Sequence, residues 1–307
     1  MSTGDTQPTP AYRSIFLADD WAHQRYFGWR VVEDRPGLRV LAKRRAIVTR
    51  YLVLLTVTGR GALDQWLAAQ AGLVDLTDII IHDFDGVLSE PVLSGRTFHR
   101  AASHERLLNT ATFVIDLRQS EDGLMSAMSS DYRRKIRKAE AGGCTVTAYT
   151  APPADLVSAF LAALTDFSGE RGLNIAEPAT IAAMYGDGRA ILLVARNGGE
   201  ASNYLHLYKA GDAASFMYGV NLSKVNDGTG QYLHWQAMRH LKAAGLDWYD
   251  LGGVASTSAE DGIFTFKQRF GGQLVDLGTE WRSTSAVAAR GQALAGSLKA
   301  LARGRTR

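Results

Sequence analysis

The sequence predicts an α+β protein built from two similar blocks, and three observations carry that reading. Strand-length runs of β-branched and aliphatic residues alternate with segments of helical period along the chain. The order of these elements repeats, once in each half. A length of 307 residues exceeds what one core usually organises and suits two domains. No long heptad run occurs, so no coiled-coil arm is expected.

The elements follow in order. Acidic Asp19-Asp20 favours a helix start, because carboxylates suit a helix N-terminus. Residues 38–41 and 46–57 read as a strand hairpin, and 63–71 as a helix ended by Gly72. Residues 78–82 and 112–117 are short strands. Residues 123–141 carry one helical period through Leu124, Met128, Ile136 and Ala139 and stop at Gly142-Gly143. A strand at 146–149 and a helix over 154–169 open the second block. Residues 190–195, 201–209 and 214–220 form a three-strand meander with Gly-containing turns at Gly198-Gly199 and Gly211. A helix over 229–244 closes at Gly245, a strand covers 248–251, a short helix 264–270, a last strand 273–281, and a C-terminal helix 286–302. The expected domains are 11–142 with 282–307, and 143–281.

Composition is ordinary for a globular chain, 46% hydrophobic and 21% charged, and no apolar run reaches the ~20 residues of a membrane span. The polar start lacks a charged-then-apolar leader, which points to a cytoplasmic protein. One cysteine, Cys144, excludes an internal disulfide, and the seven histidines show no metal-ligand spacing, so no metal is expected. A net charge of +3 says little by itself. Its clustering says more: Lys43-Arg44-Arg45, the segment 131–140, and the tail from Lys299 are basic.

The C-terminal third is the most informative. Met217-Tyr-Gly-Val220 ends a strand and a helix follows. Then come Trp248-Tyr-Asp-Leu-Gly-Gly253 and Asp261-Gly-Ile-Phe-Thr-Phe-Lys-Gln-Arg-Phe-Gly-Gly272. These motifs resemble the FemX/FemAB family, as do Arg134, Ile136, Arg137, Lys138 and Ala139 of the basic segment and Trp21 with Phe27-Gly-Trp29. The resemblance implies two GNAT-like domains in tandem. It implies transfer of an aminoacyl group from aminoacyl-tRNA, with no other cofactor, to an amine of a peptide-like acceptor. The acceptor is either a peptidoglycan precursor or a peptidyl-nucleoside intermediate of a uridyl-peptide (pacidamycin-type) antibiotic. Ala18-Asp19-Asp20 replaces the family's Gln-Ser before the early tryptophan, and its arginine–tyrosine pair has no evident counterpart near Leu173–Pro178. Both departures count against a cell-wall acceptor. A monomer is expected.

An activated ester needs positioning and positive charge at the developing oxyanion. The resemblance assigns this to Lys267, read as an exposed lysine in a glycine- and aromatic-rich segment, with the Phe266 backbone N–H as a second donor. It places Tyr218 and Arg25 on the acceptor, while Asp83 and Asp85 end a strand and either orient the amine or cap it. Arg133, Arg134, Arg137 and Lys138 would contact tRNA phosphates. Asp250 reads as a cap. Three rivals stand beside this. Asp227-Gly-Thr-Gly230 before a helix has the glycine spacing of a CoA pyrophosphate loop, but Val225 occupies the place of its usual Arg or Gln. Ile79–Leu88 looks like the first motif of haloacid-dehalogenase-type phosphatases, without the later metal motif. A binding module without catalysis is the third.

Overall fold

In the computed structural model, residues 12–19, 21–45, 48–70, 77–89, 92–93, 96–222 and 227–283 are described. Contacts divide the chain into two compact units, one of Met1–Asp19 with Thr112–Val275, the other of Asp20–Ala111 with Asp276–Arg307.

The second of these is built on a six-stranded sheet of order β1-β2-β3-β4-β15-β7. Its strands are β1 (Arg30–Arg35), β2 (Leu38–Arg45), β3 (Val48–Leu55), β4 (Thr77–Asp83), β7 (His99–Arg100) and β15 (Thr279–Ser283). The short hairpin β5 (Val92–Leu93) and β6 (Arg96–Thr97) stands apart. Helix α2 (Arg60–Ala69) lays Leu63, Trp66 and Leu67 onto Leu38, Val40, Val53, Leu55, Ile79 and Ile81. Those sheet residues alternate along their strands, as period-2 side chains must to share one face.

The larger unit holds a seven-stranded sheet, β14-β8-β13-β12-β11-β10-β9. Its strands are β8 (Ala111–Asp116), β9 (Thr145–Tyr149), β10 (Ala190–Asn197), β11 (Glu200–Ala210), β12 (Ala213–Asn221), β13 (Trp248–Val254) and β14 (Gln273–Asp276). Helix α1 (Ile15–Ala18), α3 (Glu121–Ala127), α4 (Ser130–Ala141), α5 (Ala154–Arg171), α6 (Pro178–Gly186), α7 (Thr229–Ala243) and α8 (Gly262–Gln268) complete it. The α+β class with two sheet-based units holds.

Several expectations change. The helix read over 123–141 is two helices, because the Ser129 hydroxyl accepts from the Tyr132 N–H and starts α4 afresh. The strand read over 273–281 is β14 and β15 in different sheets, separated at Gly278, whose φ of 92° leaves the extended region. Helix α6 is additional, with Pro178 in its first turn, where a missing N–H costs nothing. Asp19 does not open a helix. It follows α1, and its carboxylate pairs with Arg189. The boundary read at 142–143 differs from the packing, in which β8 lies between β14 and β13, and α4 packs on α7. The helix at 286–302, Gly72 and Asp20 lie outside the described residues.

Gly228 opens α7 with φ 91°, and a Cβ there would sit 2.3 Å from the Lys135 carbonyl oxygen of α4. Gly228→Ala is expected to lower stability by more than about 1 kcal/mol, through both strain and collision. Gly230→Ala, with open space around it in the first turn of the helix, should be neutral or slightly stabilising. Urea unfolding of the two variants checks this, and equal losses would contradict the packing.

Candidate active site

Strands β12 and β13 run parallel and pair at Ala213↔Trp248, Ala214↔Tyr249 and Ser215↔Asp250. Immediately after, β12 bulges. Leu207 of β11 faces Phe216, and His206 faces Tyr218, so Met217 is the extra residue. A bulge bends its strand and re-aims its side chains. The two strands therefore part, and the backbone groups beyond the last pair need other partners.

Lys267 supplies them. Its Nζ donates to the carbonyl oxygens of Gly252 (2.8 Å) and Gly253 (2.9 Å). In a regular strand, consecutive carbonyls point to opposite edges. Gly252 has φ 78°, which turns the two carbonyls so that one ammonium reaches both. A Cβ on Gly252 would lie 2.8 Å from the Phe216 carbonyl oxygen. The Gly-Gly pair is thus a backbone requirement of the lysine's seat.

Helix α8 aims the lysine. The Asp261 carboxylate accepts from the N–H groups of Ile263 (2.8 Å) and Phe264 (2.9 Å) and starts the helix. Phe264 is buried, and Lys267 lies one turn away with only 7% of its surface exposed. The expectation of an exposed lysine is therefore corrected. Burial pushes its pKa down from 10.5 to about 8, against the fields of Asp250 and Asp261. Phe266 is the fifth residue of α8, so its N–H enters the helical ladder and is not a free oxyanion donor. Its carbonyl accepts from the Tyr132 hydroxyl at 3.1 Å, tying α8 to α4.

Beside this seat lies a cavity of about 330 Å³, lined by Phe167, Tyr204, Phe216, Leu233, His234 and Phe266 among others. His234 is the residue sequence reading passed over. It sits on α7 with 5% exposure, and its Nδ1 is 2.7 Å from the Tyr249 hydroxyl. Burial, and secondarily Lys267, lower its pKa to about 3. Its only sequence signal was its position within Tyr232-Leu-His-Trp, on the helix that precedes the Tyr249 strand. Asp250 lies under the site. It accepts from Tyr12, Thr112 and the Gly252 N–H, and burial raises its pKa while those donors and Lys267 oppose. A larger cavity, about 520 Å³, is lined by Asp116, Arg118 and Trp248, and His234 lines only the smaller one. Lys267 sits behind the smaller cavity's lining residues Phe216 and Phe266.

The N-terminus of α7 borders the smaller cavity through Asp227, Gly228, Gly230 and Gln231. The Asp227 carboxylate accepts from the Thr229 N–H at 2.9 Å, and Gly228 abuts the backbone of α4. The place where a helix N-terminus would receive a phosphate holds the chain's own anion.

The remaining sequence-predicted residues scatter. Tyr218 stacks on His206 (5.9 Å), and its hydroxyl accepts from the Ala176 N–H, so it is not among the residues lining the cavity. Arg133 donates to the carbonyls of Ser126 and Met128, closing the end of α3. Arg134 pairs with Asp131 at 2.6 Å yet stays 75% exposed, and Arg137 and Lys138 are exposed. Arg25, Asp83 and Asp85 belong to the other unit. Asp83 is fully buried and accepts from the N–H groups of Val87 and Leu88, and Asp85 accepts from that of Val57. Both carboxylates hold loops, the capping role rather than the amine-orienting one. Arg25 is exposed in a π-helical turn, Ala22–Tyr26.

Residues 126–268 match the family described as acetyltransferase (GNAT) domain. Among solved structures, FemX is similar over 89% of this chain and 92% of its own, with TM-score 0.65 and 14% identity. The C-terminal domain (DUF2156) of an Agrobacterium fabrum protein described as a lysylphosphatidylglycerol synthetase covers 88% of each chain, with TM-score 0.59 and 15% identity. L-PGS from Bacillus licheniformis covers 85% of each, with TM-score 0.52 and 13% identity. No curated protein sequence matches the chain. At these identities the structural likeness establishes the fold.

The buried ammonium makes stability depend on pH. Its folded pKa lies below its unfolded value, so the unfolded chain holds the extra proton between about pH 8 and 10.5. Stability from this group therefore rises with pH across that window, by at most about 1.4 kcal/mol per pH unit. Lys267→Met should abolish that rise while leaving two carbonyls unpaired. Denaturant melts at pH 7.5 and 9.5 on both proteins check it, and parallel pH profiles would contradict the burial.

Proposed function

We propose that the chain forms an amide bond by moving an aminoacyl group from aminoacyl-tRNA to an amine of a peptide-like acceptor. The observation that carries this reading is the Lys267 seat beside the cavity at the parting of β12 and β13. A largely protonated ammonium is held at a mostly apolar site, where a point charge acts more strongly than in water. Two of its three donors are engaged on Gly252 and Gly253, which leaves one for a ligand oxygen.

The donor assignment rests on the motif resemblance around Lys267 and on the Asp227 carboxylate at the N-terminus of α7. A CoA pyrophosphate at that helix N-terminus would meet the Asp227 carboxylate, which already takes the Thr229 N–H. FemX, the lysylphosphatidylglycerol synthetase domain and L-PGS share the fold, which accords with this reading. The acceptor is either a peptidyl-nucleoside intermediate or a peptidoglycan precursor. Arg134, Arg137 and Lys138 are the basic side chains on α4 that remain open to a phosphate backbone, whereas Arg133 is occupied within the fold. A monomeric cytoplasmic enzyme fits the composition. Among the described residues, no helix is long and apolar enough to cross a membrane. An acyl-CoA-dependent N-acyltransferase is the second reading, favoured by the GNAT family match over 126–268.

Transfer measured with charged total tRNA should be abolished by ribonuclease. Transfer from acyl-CoA without RNA would establish the second reading instead. Lys267→Ala is expected to lower kcat about 100-fold or more, with Lys267→Arg a poor substitute because a planar guanidinium places its charge differently. Because the lysine is buried, these rates are taken at a temperature where circular dichroism shows each variant folded. A folded variant with near-normal kcat would remove Lys267 from the mechanism. Replacing Arg134, Arg137 and Lys138 with Gln should raise KM for tRNA and flatten its salt dependence. An unchanged salt slope would leave α4 a solvated face.

A further inference from the structure

The His234–Tyr249 pair serves no packing need that two apolar side chains would not meet. The imidazole is boxed by aromatic rings: Phe216 at 5.1 Å, Phe266 at 5.7 Å and Phe270 at 4.8 Å between centroids. Its Nδ1 faces the buried Tyr249 hydroxyl at 2.7 Å. Its other nitrogen, Nε2, has no hydrogen-bond partner among the described residues, and the residue lines the 330 Å³ cavity. Nε2 therefore opens onto that cavity.

The hydrogen positions follow from satisfaction. Tyr249 has no exposed surface, and burial keeps its hydroxyl protonated. A buried O–H must find an acceptor, and Nδ1 is the partner within reach. If the tyrosine donates to Nδ1, the imidazole's hydrogen resides on Nε2. The groups that face the ring are Tyr249 on β13, Lys267 on α8 and Asp227 across the cavity. Among the described residues no carboxylate hydrogen-bonds the ring, so nothing there would hold an imidazolium.

We propose that His234, fixed by Tyr249 as the neutral tautomer with its hydrogen on Nε2, donates a hydrogen bond to the carbonyl oxygen of the acyl group bound in the cavity. This rests on the acyl-transfer reading above. In the step, the acceptor amine nitrogen bonds to the carbonyl carbon, and the C=O π pair moves onto the oxygen. There the Nε2–H and the Lys267 ammonium meet it. When that pair returns, the C–O bond to the ribose breaks. The ribose oxygen leaves with the proton that the amine gives up. A neutral N–H donor aimed at developing charge needs no reorganisation at the moment of reaction. Tyr249 is a positioning residue, acting through the tautomer it selects.

The test uses the full chain with nitrogen-15-labelled histidine. His234 should give the Nε2-protonated neutral signature from pH 5.5 to 8, and Tyr249→Phe should shift it toward the Nδ1-protonated form. His234→Ala should lower kcat about 100-fold with KM for the donor little changed, the split expected of a contact made mainly in the transition state. His234→Gln, which keeps a side-chain N–H, should recover at least about a tenth of the wild-type rate. An Nδ1-protonated or cationic ring in the wild-type protein overturns the proposal, whatever the donor. So does a folded His234→Ala within about 3-fold of wild type. If wild-type transfer proceeds from acyl-CoA and not from aminoacyl-tRNA, the tRNA reading falls. The same kcat comparison with acyl-CoA then decides the role of His234 separately.

Discussion

The larger unit turns on the early parting of two parallel strands. β12 and β13 share three register pairs and then separate at Ser215 and Asp250. Opening a sheet in its middle exposes backbone carbonyls that water would normally satisfy at an edge. Here one ammonium does so from inside. Lys267 can reach two successive carbonyls because Gly252 adopts a left-handed φ, and Gly252 can do that because it lacks a Cβ. Remove the charge and the opening has no internal seal. Remove the glycine and the carbonyls turn apart.

Two nitrogen bases, Lys267 and His234, are both buried, yet one is charged and the other neutral. Desolvation depresses both, but from different starting points. The lysine begins high, so even lowered to about 8 it stays mostly protonated at neutral pH. The histidine begins near neutrality, so the same penalty leaves it uncharged. The site thus offers one cation and one neutral donor without any pairing carboxylate drawn up to either. Asp250, which faces Lys267 electrostatically, is itself restrained by Tyr12, Thr112 and the Gly252 N–H. Those bonds keep it beneath the cleft as part of its floor.

Helix α7 shows how packing changes what a motif means. Its first turn carries glycines at the spacing of an anion-binding loop, yet Gly228 is there to admit the α4 backbone, and the Asp227 carboxylate takes the Thr229 N–H. The same helix presents His234 one and a half turns on. Arg133 makes a similar point: a residue that reads as a phosphate contact spends its guanidinium on the carbonyls ending α3.

What the amino-acid sequence alone determined was set by local or short-range physics. Period-2 runs and turn glycines placed the β10–β12 meander. Helical periods and glycine stops placed α5 and α7. The Tyr-Asp-Leu-Gly-Gly and Phe-Lys-x-x-Phe-Gly-Gly segments pointed to Lys267 only through their resemblance to a known family. The seam at Ser129 was within its reach too, as a capping serine inside an otherwise continuous helical period. Other features belong to the tertiary structure, because they depend on groups far apart in the chain. Gly278 separates β14 from β15 only because their partners lie in different sheets. Lys267 is buried because α8 lays it across two carbonyls of β13. His234 faces a cavity because Tyr249, fifteen residues on, takes its other nitrogen. Burial and hydrogen-bond satisfaction are properties of what surrounds a side chain, and no spacing along one strand of sequence encodes the neighbours that a fold brings to it.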